Sequence, residues 1–255
     1  MNNRNRPPYD GPSFEVPTVW SPGEDPRALL DKDARAMLAI IATVSRYKKG
    51  ELIYQEGARA DHIFNIISGV VKSCRSQPNR KQQVMGFLFP HDLFGLAELG
   101  KYVNSASAVT QVILYKMPTA ALEARMRRNP SLDFQVICRL CHDLREAQQH
   151  AILLSKHRAV AKLGLFLQML EAHQATEGTC SQEIQVPMAR TDIGAYVNMS
   201  PEAVTRSLWA LVRRGVISVR DRHHIKIIDR AGLEEVIAEA PPAPTRRKHA
   251  ALLHS

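Results

Sequence analysis

Apolar and polar positions change their period along the chain, and each change marks a different kind of structure. Near the start, Leu29, Leu30, Met37, Leu38 and Ile41 share one side of an expected helix over Asp31–Ile41. Up to Met117 the apolar runs are then short and cut by turn residues. Gly50, Gly57, Gly69, Gly86 and Gly95 punctuate segments such as ELIYQ, HIFNIISGVVKSC and QVMGFLF. Strands of about five to eight residues, roughly ten residues apart, predict an antiparallel sandwich or barrel. Gly69, between Ile63–Ile67 and Val70-Val71, predicts a tight hairpin, and Asn79 after Pro78 the next turn.

After Met117 the period becomes helical. Thr119 is the expected cap of TAALEARMRR, and Asn129-Pro130 ends that helix and starts the next. One long helix is predicted from Ser131 to Ser155. Along it Ile137, Leu140, Leu144, Ala147, Ala151 and Leu154 alternate steps of three and four. That heptad seam predicts pairing with the same helix of a second copy, while packing onto the chain's own sandwich is the alternative. A further helix, Arg158–His173, carries Val160, Leu163, Leu165, Phe166, Met169 and Leu170 for a core. QATEGTCS is then a loop.

Arg190 to Gly215 reads as two short helices meeting at a turn. Gly194 leaves room where the helices cross, and Asn198 suits the left-handed conformation at the end of the first. Ser200 caps the second helix, with Pro201 in its first position. Val204, Leu208 and Leu211 form its apolar stripe, while Glu202, Thr205 and Arg206 share the opposite side. Trp209 lies one turn further along that side and is expected to pack against the hairpin or the helix base. VISVRDRHHIKII then predicts a hairpin turning at Asp221-Arg222, and Ala231–Glu239 a last short helix.

An exposed carboxylate, hydroxyl and guanidinium on a docked helix suit the edges of base pairs. Arg206 can hold the two acceptors of guanine, Glu202 can accept from cytosine N4, and the Thr205 methyl can meet a thymine. Thr191 and Ser200, at helix starts, would hold phosphates near positive dipole ends. Arg190, Arg213, Arg214, Arg222 and Lys226 would add affinity that is blind to sequence and sensitive to salt. The reading is a double-stranded DNA-binding protein.

Composition changes this picture little, but the placement of charge sharpens it. The 255 residues allow two ordinary domains, and a net charge of +9 fits a polyanion partner. Eight of the basic residues lie between Val186 and Arg230 against four acids, and seven of those eight follow Ser200. Six prolines before Arg27 predict a mobile arm over residues 1–27, and residues 240–255 predict a basic disordered tail. Between them the expected units are a β-domain over 28–130, a dimerisation helix over 131–157 and a DNA-binding domain over 158–239. No apolar run is long enough for a membrane span, and the N-terminus lacks the apolar core of a signal peptide, so a cytoplasmic protein is expected.

A glycine-punctuated sandwich, a heptad helix and TDIGAYVNMSPEAVTRSLWALVRRGVISV together resemble the Crp/Fnr superfamily of bacterial transcription regulators. The resemblance runs from about Arg46 to Ile228, including ILLSKHRAVAKLGLFLQML at the hinge. It implies an α+β chain with an N-terminal β-roll of the cyclic-nucleotide-binding type, a long dimerisation helix and a C-terminal winged helix-turn-helix. It further implies a homodimer on an inverted repeat resembling TTGAT-N4-ATCAA, read by Glu202, Thr205 and Arg206, with RNA polymerase as a partner. Pro201, where the cyclic-AMP receptor has an arginine, points to the Fnr/FixK side, and a role in low-oxygen or nitrogen-oxide metabolism follows by analogy.

Two effector sites known in the family are missing from the residues. Leu96 follows Gly95 where nucleotide binders have glutamate, and no arginine stands between Arg80 and Arg125 to neutralise a phosphate. The first 73 residues hold no cysteine, so the iron–sulfur ligands of Fnr have no counterpart. No cofactor and no metal are expected, and no catalytic constellation is recognisable. The alternative function is a sensor whose β-domain binds a small effector or haem that controls DNA release. Cys138-Arg139-Leu140-Cys141-His142 matches a haem-attachment pattern only formally, and buried thiols are the expectation there. Cys180, in a polar loop, is the candidate redox thiol whose oxidation would weaken DNA binding. His223-His224 at the hairpin tip could meet phosphate, or form a solvated turn that binds nothing, which is the ordinary expectation.

Overall fold

Glycine turns and alternating apolar positions build the first half of the chain, and helices the second. The computed structural model describes residues 38–77, 82–97, 99–175 and 183–238. Of the first expected helix, Leu38–Ile41 is described and is helical. The turn at Asn79, the redox candidate Cys180 and both terminal segments lie outside the described residues.

The N-terminal domain contains β1 Thr43–Tyr47, β2 Leu52–Tyr54, β3 His62–Ser68, β4 Val71–Ser76, β5 Gln82–Leu88, β6 Leu93–Phe94, β7 Ser105–Ala108 and β8 Val112–Pro118. They form two four-stranded sheets in the orders β1-β8-β3-β6 and β2-β7-β4-β5, and every pairing is antiparallel. Phe64, Ile66, Val71, Ala106, Val112 and Leu114 point between the sheets and are buried, which is the alternation of a strand with one covered face.

The expected hairpin at Gly69 is not formed. β3 pairs with β6 and β8, and β4 pairs with β5 and β7, so Gly69 hands the chain from one sheet to the other. Its φ of 92° and the Gln111 carbonyl oxygen standing where a Cβ would have to go both require glycine. The Val70 N–H, freed from any hairpin, donates to Thr110 Oγ1 at 2.9 Å. Long-range pairing thus decided what the local turn signal could not.

Helix α1 spans Thr119–Met126 and α2 spans Pro130–Ser155. Thr119 does not cap α1: Pro118 holds that position, and the Thr119 hydroxyl donates to the Ala60 carbonyl at 2.9 Å, tying the helix to the β-domain. Asn129 caps α2 by accepting from the Leu132 N–H, with Pro130 in the first position. At 26 residues α2 is about 39 Å long.

The two sides of α2 are the reverse of an ordinary amphipathic helix. Leu132, Val136 and Leu153 are buried against the molecule, but Arg139 and His150 are buried there too. Arg139 Nη1 donates to Asp92 Oδ1 at 2.8 Å and its Nη2 lies 2.7 Å from Asp143 Oδ1. Burial opposes the charge of Arg139, but the two carboxylates outweigh it and hold the guanidinium above its usual pKa. Glu146 lies 3.3 Å from His142 and 3.6 Å from His173. His150 stacks on Tyr196, ring centroids 4.0 Å apart, and its Nε2 hydrogen-bonds the Tyr196 carbonyl at 2.8 Å. Meanwhile Ile137, Leu140 and Leu144 face outward with 54%, 47% and 60% of their surface exposed. Ala147 and Ala151 are exposed as well, and Leu154 is half-buried against the chain's own core.

Cys138 is half-buried and Cys141 exposed, both as free thiols, contrary to the expectation of buried cysteines. The inward positions of α2 are taken by Arg139 and its polar neighbours, which turns Cys141 towards solvent.

The C-terminal unit consists of α3 Ala159–Ala175, β9 Ile184–Gln185, α4 Arg190–Val197, α5 Pro201–Arg213, β10 Ile217–Val219, β11 His224–Ile227 and α6 Arg230–Ala238. Strands β10, β11 and β9 form a small antiparallel sheet in that order. Leu163, Phe166 and Leu167 of α3 are buried with Ile193, Val204 and Leu211. The unit also leans on the β-domain. Phe87 packs against Phe166 and Tyr196 with centroids 6.2 and 5.3 Å apart, and Lys72 Nζ meets Asp192 Oδ1 at 2.6 Å.

Candidate nucleic-acid interface

The crossing of α4 and α5 rests on a close backbone approach. A Cβ at Gly194 would lie 2.5 Å from the Met199 carbonyl oxygen. Asn198 ends α4 in the left-handed conformation, φ 55° and ψ 57°, and the Met199 N–H donates to the Gly194 carbonyl at 2.8 Å. Ser200 Oγ accepts from the Ala203 N–H at 3.2 Å, with Pro201 beginning α5. Gly194→Ala is expected to cost about 1–3 kcal/mol of stability in this unit, because backbone must move to admit a methyl. Thermal unfolding of the variant measures it, and an unchanged midpoint would refute the crowding argument.

Docking of α5 by Val204, Ser207, Leu208 and Leu211, all buried, turns its other side to solvent. Glu202, Thr205 and Arg206 are exposed there, as the spacing predicted. Hydrogen bonds from its own N–H and from the Ser200 hydroxyl, with the charge of Arg206, hold the Glu202 carboxyl below its usual pKa, so it is an acceptor at neutral pH. The Thr205 hydroxyl donates to the Pro201 carbonyl at 3.0 Å. Its hydrogen is thereby occupied, which leaves the oxygen as an acceptor and orients the methyl. Trp209, expected to pack against the hairpin or the helix base, is 52% exposed on the same side, while Val216, Ile217 and Ile225 are buried at the hairpin.

The β10–β11 hairpin is fastened from several sides. Asp221 Oδ1 accepts from the His223 and His224 N–H groups at 2.7 and 3.1 Å, and His224 Nδ1 lies 2.8 Å from Oδ2. Those hydrogen bonds, the His223 amide first, pull the Asp221 carboxyl down to about 2. His223 Nδ1 meets the Val186 carbonyl at 3.0 Å, so the histidine pair is anchored and not simply solvated. Arg222 remains exposed at the tip, and Arg190 Nη2 reaches its carbonyl at 3.4 Å. Burial, then the charge of Arg222, lowers the pKa of Arg190. Thr191, Ser200, Arg213 and Arg214 are exposed and Lys226 half-buried. Arg190, Arg206, Arg213, Arg214, Arg222 and Lys226 all belong to this one unit.

A cavity of about 390 Å³ lies between the β-domain, α2 and α3, with Tyr54, Phe87, Asn104, Asp143, Phe166 and Tyr196 among its lining residues. Asn104 is already satisfied, accepting from the Tyr54 hydroxyl at 3.1 Å and donating to Ser73 Oγ at 2.7 Å. The described lining residues include no arginine or lysine, while Asp143 and Glu146 face in. No group of three metal-ligating side chains occurs among the described residues. Among them, too, no helix is long and apolar enough to cross a membrane.

A capped helix-turn-helix with a stiff hairpin, joined by a long helix to a double-sheet β-domain, defines a winged-helix DNA-binding regulator. Residues 44–129 match the model of the cyclic nucleotide-binding domain and residues 161–236 that of the Crp-like helix-turn-helix domain. The nitrogen fixation regulation protein FixK of Azorhizobium caulinodans is 27% identical over 209 residues, 81% of this chain and 84% of that protein. The transcriptional activator Anr of Pseudomonas aeruginosa is 27% identical over 206 residues, 80% of this chain and 84% of that protein. The structure of FixK2 from Bradyrhizobium japonicum superposes with a TM-score of 0.72 at 25% identity, covering 79% of this chain and all of that one (100%). The chain belongs to the Crp/Fnr family of transcription regulators, on its Fnr/FixK side, and is not an enzyme.

Proposed function

We propose that the protein acts in the cytoplasm as a homodimer on an inverted repeat resembling TTGAT-N4-ATCAA and activates transcription there with RNA polymerase. The observation that carries the reading is the solvent-facing set of Glu202, Thr205 and Arg206 on a helix docked by its opposite side. Arg206 donates to guanine, Glu202 accepts from cytosine N4 and the Thr205 methyl packs on thymine. Thr191 and Ser200 at the helix starts, with Arg190, Arg213, Arg214, Arg222 and Lys226, hold the phosphate backbone. The dimer is supported by the exposed seam of Ile137, Leu140, Leu144, Ala147 and Ala151, continued by half-buried Leu154, which an identical helix covers by symmetry. Residues 28–130 serve as the effector domain, 131–157 as the dimer helix and 158–239 as the DNA-binding domain. A role in low-oxygen or nitrogen-oxide metabolism rests on family analogy, its low-oxygen part supported by a further relative, the anaerobic regulatory protein of Haemophilus influenzae.

The test is affinity for that duplex against a scrambled one at fixed salt. Arg206→Ala is expected to lose about 1–3 kcal/mol of discrimination at the guanine. Arg213→Ala should weaken both duplexes alike and flatten the salt dependence. No preference in the unmodified protein would overturn the assignment.

The cavity supports a second reading, a small effector that controls DNA release. Its described walls carry carboxylates and no cation, so a cyclic nucleotide would bury its phosphate uncompensated. Calorimetry with cyclic AMP is expected to give no binding heat. A Soret band in the purified protein would instead establish haem.

A further inference from the structure

Trp209 is left unexplained by the set of three base-reading residues. It is seven residues beyond Glu202 and three beyond Arg206, on the same side of α5, with Arg213 a further turn along. Half of the side chain, 52%, is open to solvent, whereas the buried residues of α5 are confined to its docked side. Among the described residues no aromatic ring stacks on it. A large apolar group in such a position marks a contact surface when a partner of matching chemistry lies alongside. The exposed guanidinium groups of Arg206 and Arg213 lie one turn before and one turn after it, so that partner is a polyanion.

Distance decides which part of the polyanion. Trp209 lies about 10 Å along the helix axis from Glu202, close to the width of the major groove. A helix that presents Glu202 and Arg206 to base edges therefore brings Trp209 to the wall of the groove, at sugar and phosphate. We propose that the Trp209 indole packs on deoxyribose there and donates its ring N–H to a phosphate oxygen, a sequence-independent clamp on the DNA backbone. This rests on the DNA-reading role of α5 proposed above. An uncharged contact releases no counterion, which separates it from the arginines.

The experiment titrates the full-length protein with the TTGAT-N4-ATCAA duplex and with a scrambled duplex over a series of salt concentrations. Trp209→Ala is expected to weaken both by on the order of tenfold, the size of an aromatic contact at an interface, with the salt slope unchanged. Trp209→Phe keeps a ring and should lie between Ala and the unmodified protein. Because the side chain is exposed, circular dichroism of both variants should match the parent. The chain has only two tryptophans, so a Trp20→Phe background isolates Trp209, whose emission should change on adding either duplex.

Affinities within twofold of the parent, or an emission that ignores DNA, would overturn the proposal. So would a flattened salt slope, or a loss confined to the TTGAT duplex, which would make the indole a base reader. Should Arg206→Ala lose discrimination while Trp209→Ala changes nothing, the clamp fails and the reading of α5 stands. Should the unmodified protein show no preference for the repeat, it is that reading which fails.

Discussion

Leu144→Glu is expected to turn a dimer into monomers that have lost most of their affinity for the inverted repeat. Leu144 sits in the middle of the outward seam, 60% exposed. A carboxylate there costs the isolated chain little, since it faces water. In a dimer it would meet the partner's copy across the symmetry axis, burying two like charges in an apolar seam. Sedimentation equilibrium should show half the parent mass, with circular dichroism unchanged. Two half-sites then bind independently, and the gain from linking them, about 10² to 10⁴ in affinity, disappears. A Leu144→Glu protein that stays dimeric would send the search for the dimer surface elsewhere. Leu140→Glu should behave alike, because its exposure of 47% follows from the same helical side.

Arg139→Ala should have the largest effect on stability, about 3–5 kcal/mol, which is the cost of stranding a buried charge. Arg139 is 2% exposed and Asp92 1%, with 2.8 Å between their nearest charged atoms. Asp92 also accepts from the Phe89 N–H at 2.8 Å, so its carboxylate cannot turn away to water. Burial raises the Asp92 pKa, and Arg139 together with the Phe89 amide pulls it back. Removing the guanidinium leaves only the Phe89 amide against burial, and Asp92 would have to take up a proton or draw water in. The melting midpoint should fall by about 10 °C or more. A fall under about 2 °C would mean that the pair is dispensable. Arg139→Lys should recover only part, since an ammonium cannot reach Asp92 and Asp143 with separate arms of a planar fork.

These two predictions concern opposite sides of one helix, and only one side was legible beforehand. The heptad spacing of Ile137, Leu140 and Leu144 is a pattern of apolar residues, which periodicity detects directly. Arg139, Asp143, Glu146 and His150 repeat at the same period but look like a solvated face. Nothing local shows that Asp92, on a loop of the β-domain, comes to meet Arg139, or that the Tyr196 carbonyl comes to meet His150. The expectation of buried cysteines failed for the same reason: Cys141 lies beside the seam, and the inward positions belong to the polar residues.

The helix-turn-helix was readable because its determinants are local. Asn198, Ser200 and Pro201 act within a turn of where they stand, and Gly194 meets Met199 five residues on. The base-facing trio was readable as well, since three residues at spacings of three and four share a side in any helix. Thr119 shows the limit of that logic. A hydroxyl before a helix suits a cap, yet the Ala60 carbonyl, far away in sequence, takes its hydrogen instead.

Amphipathic period, capping chemistry and turn residues thus determined which segments are strands and helices, where the turn of the DNA-binding unit lies and which side of α5 carries its polar groups. Each depends on neighbours within a few residues, and their physics is complete in the chain itself. Tertiary structure alone decided that Gly69 passes the chain between sheets, that the inner side of α2 is ionic and that half of Trp209 is left open to solvent. Those outcomes depend on which distant backbone or side chain arrives at the spot, and burial then sets the energy of the charge or the ring found there.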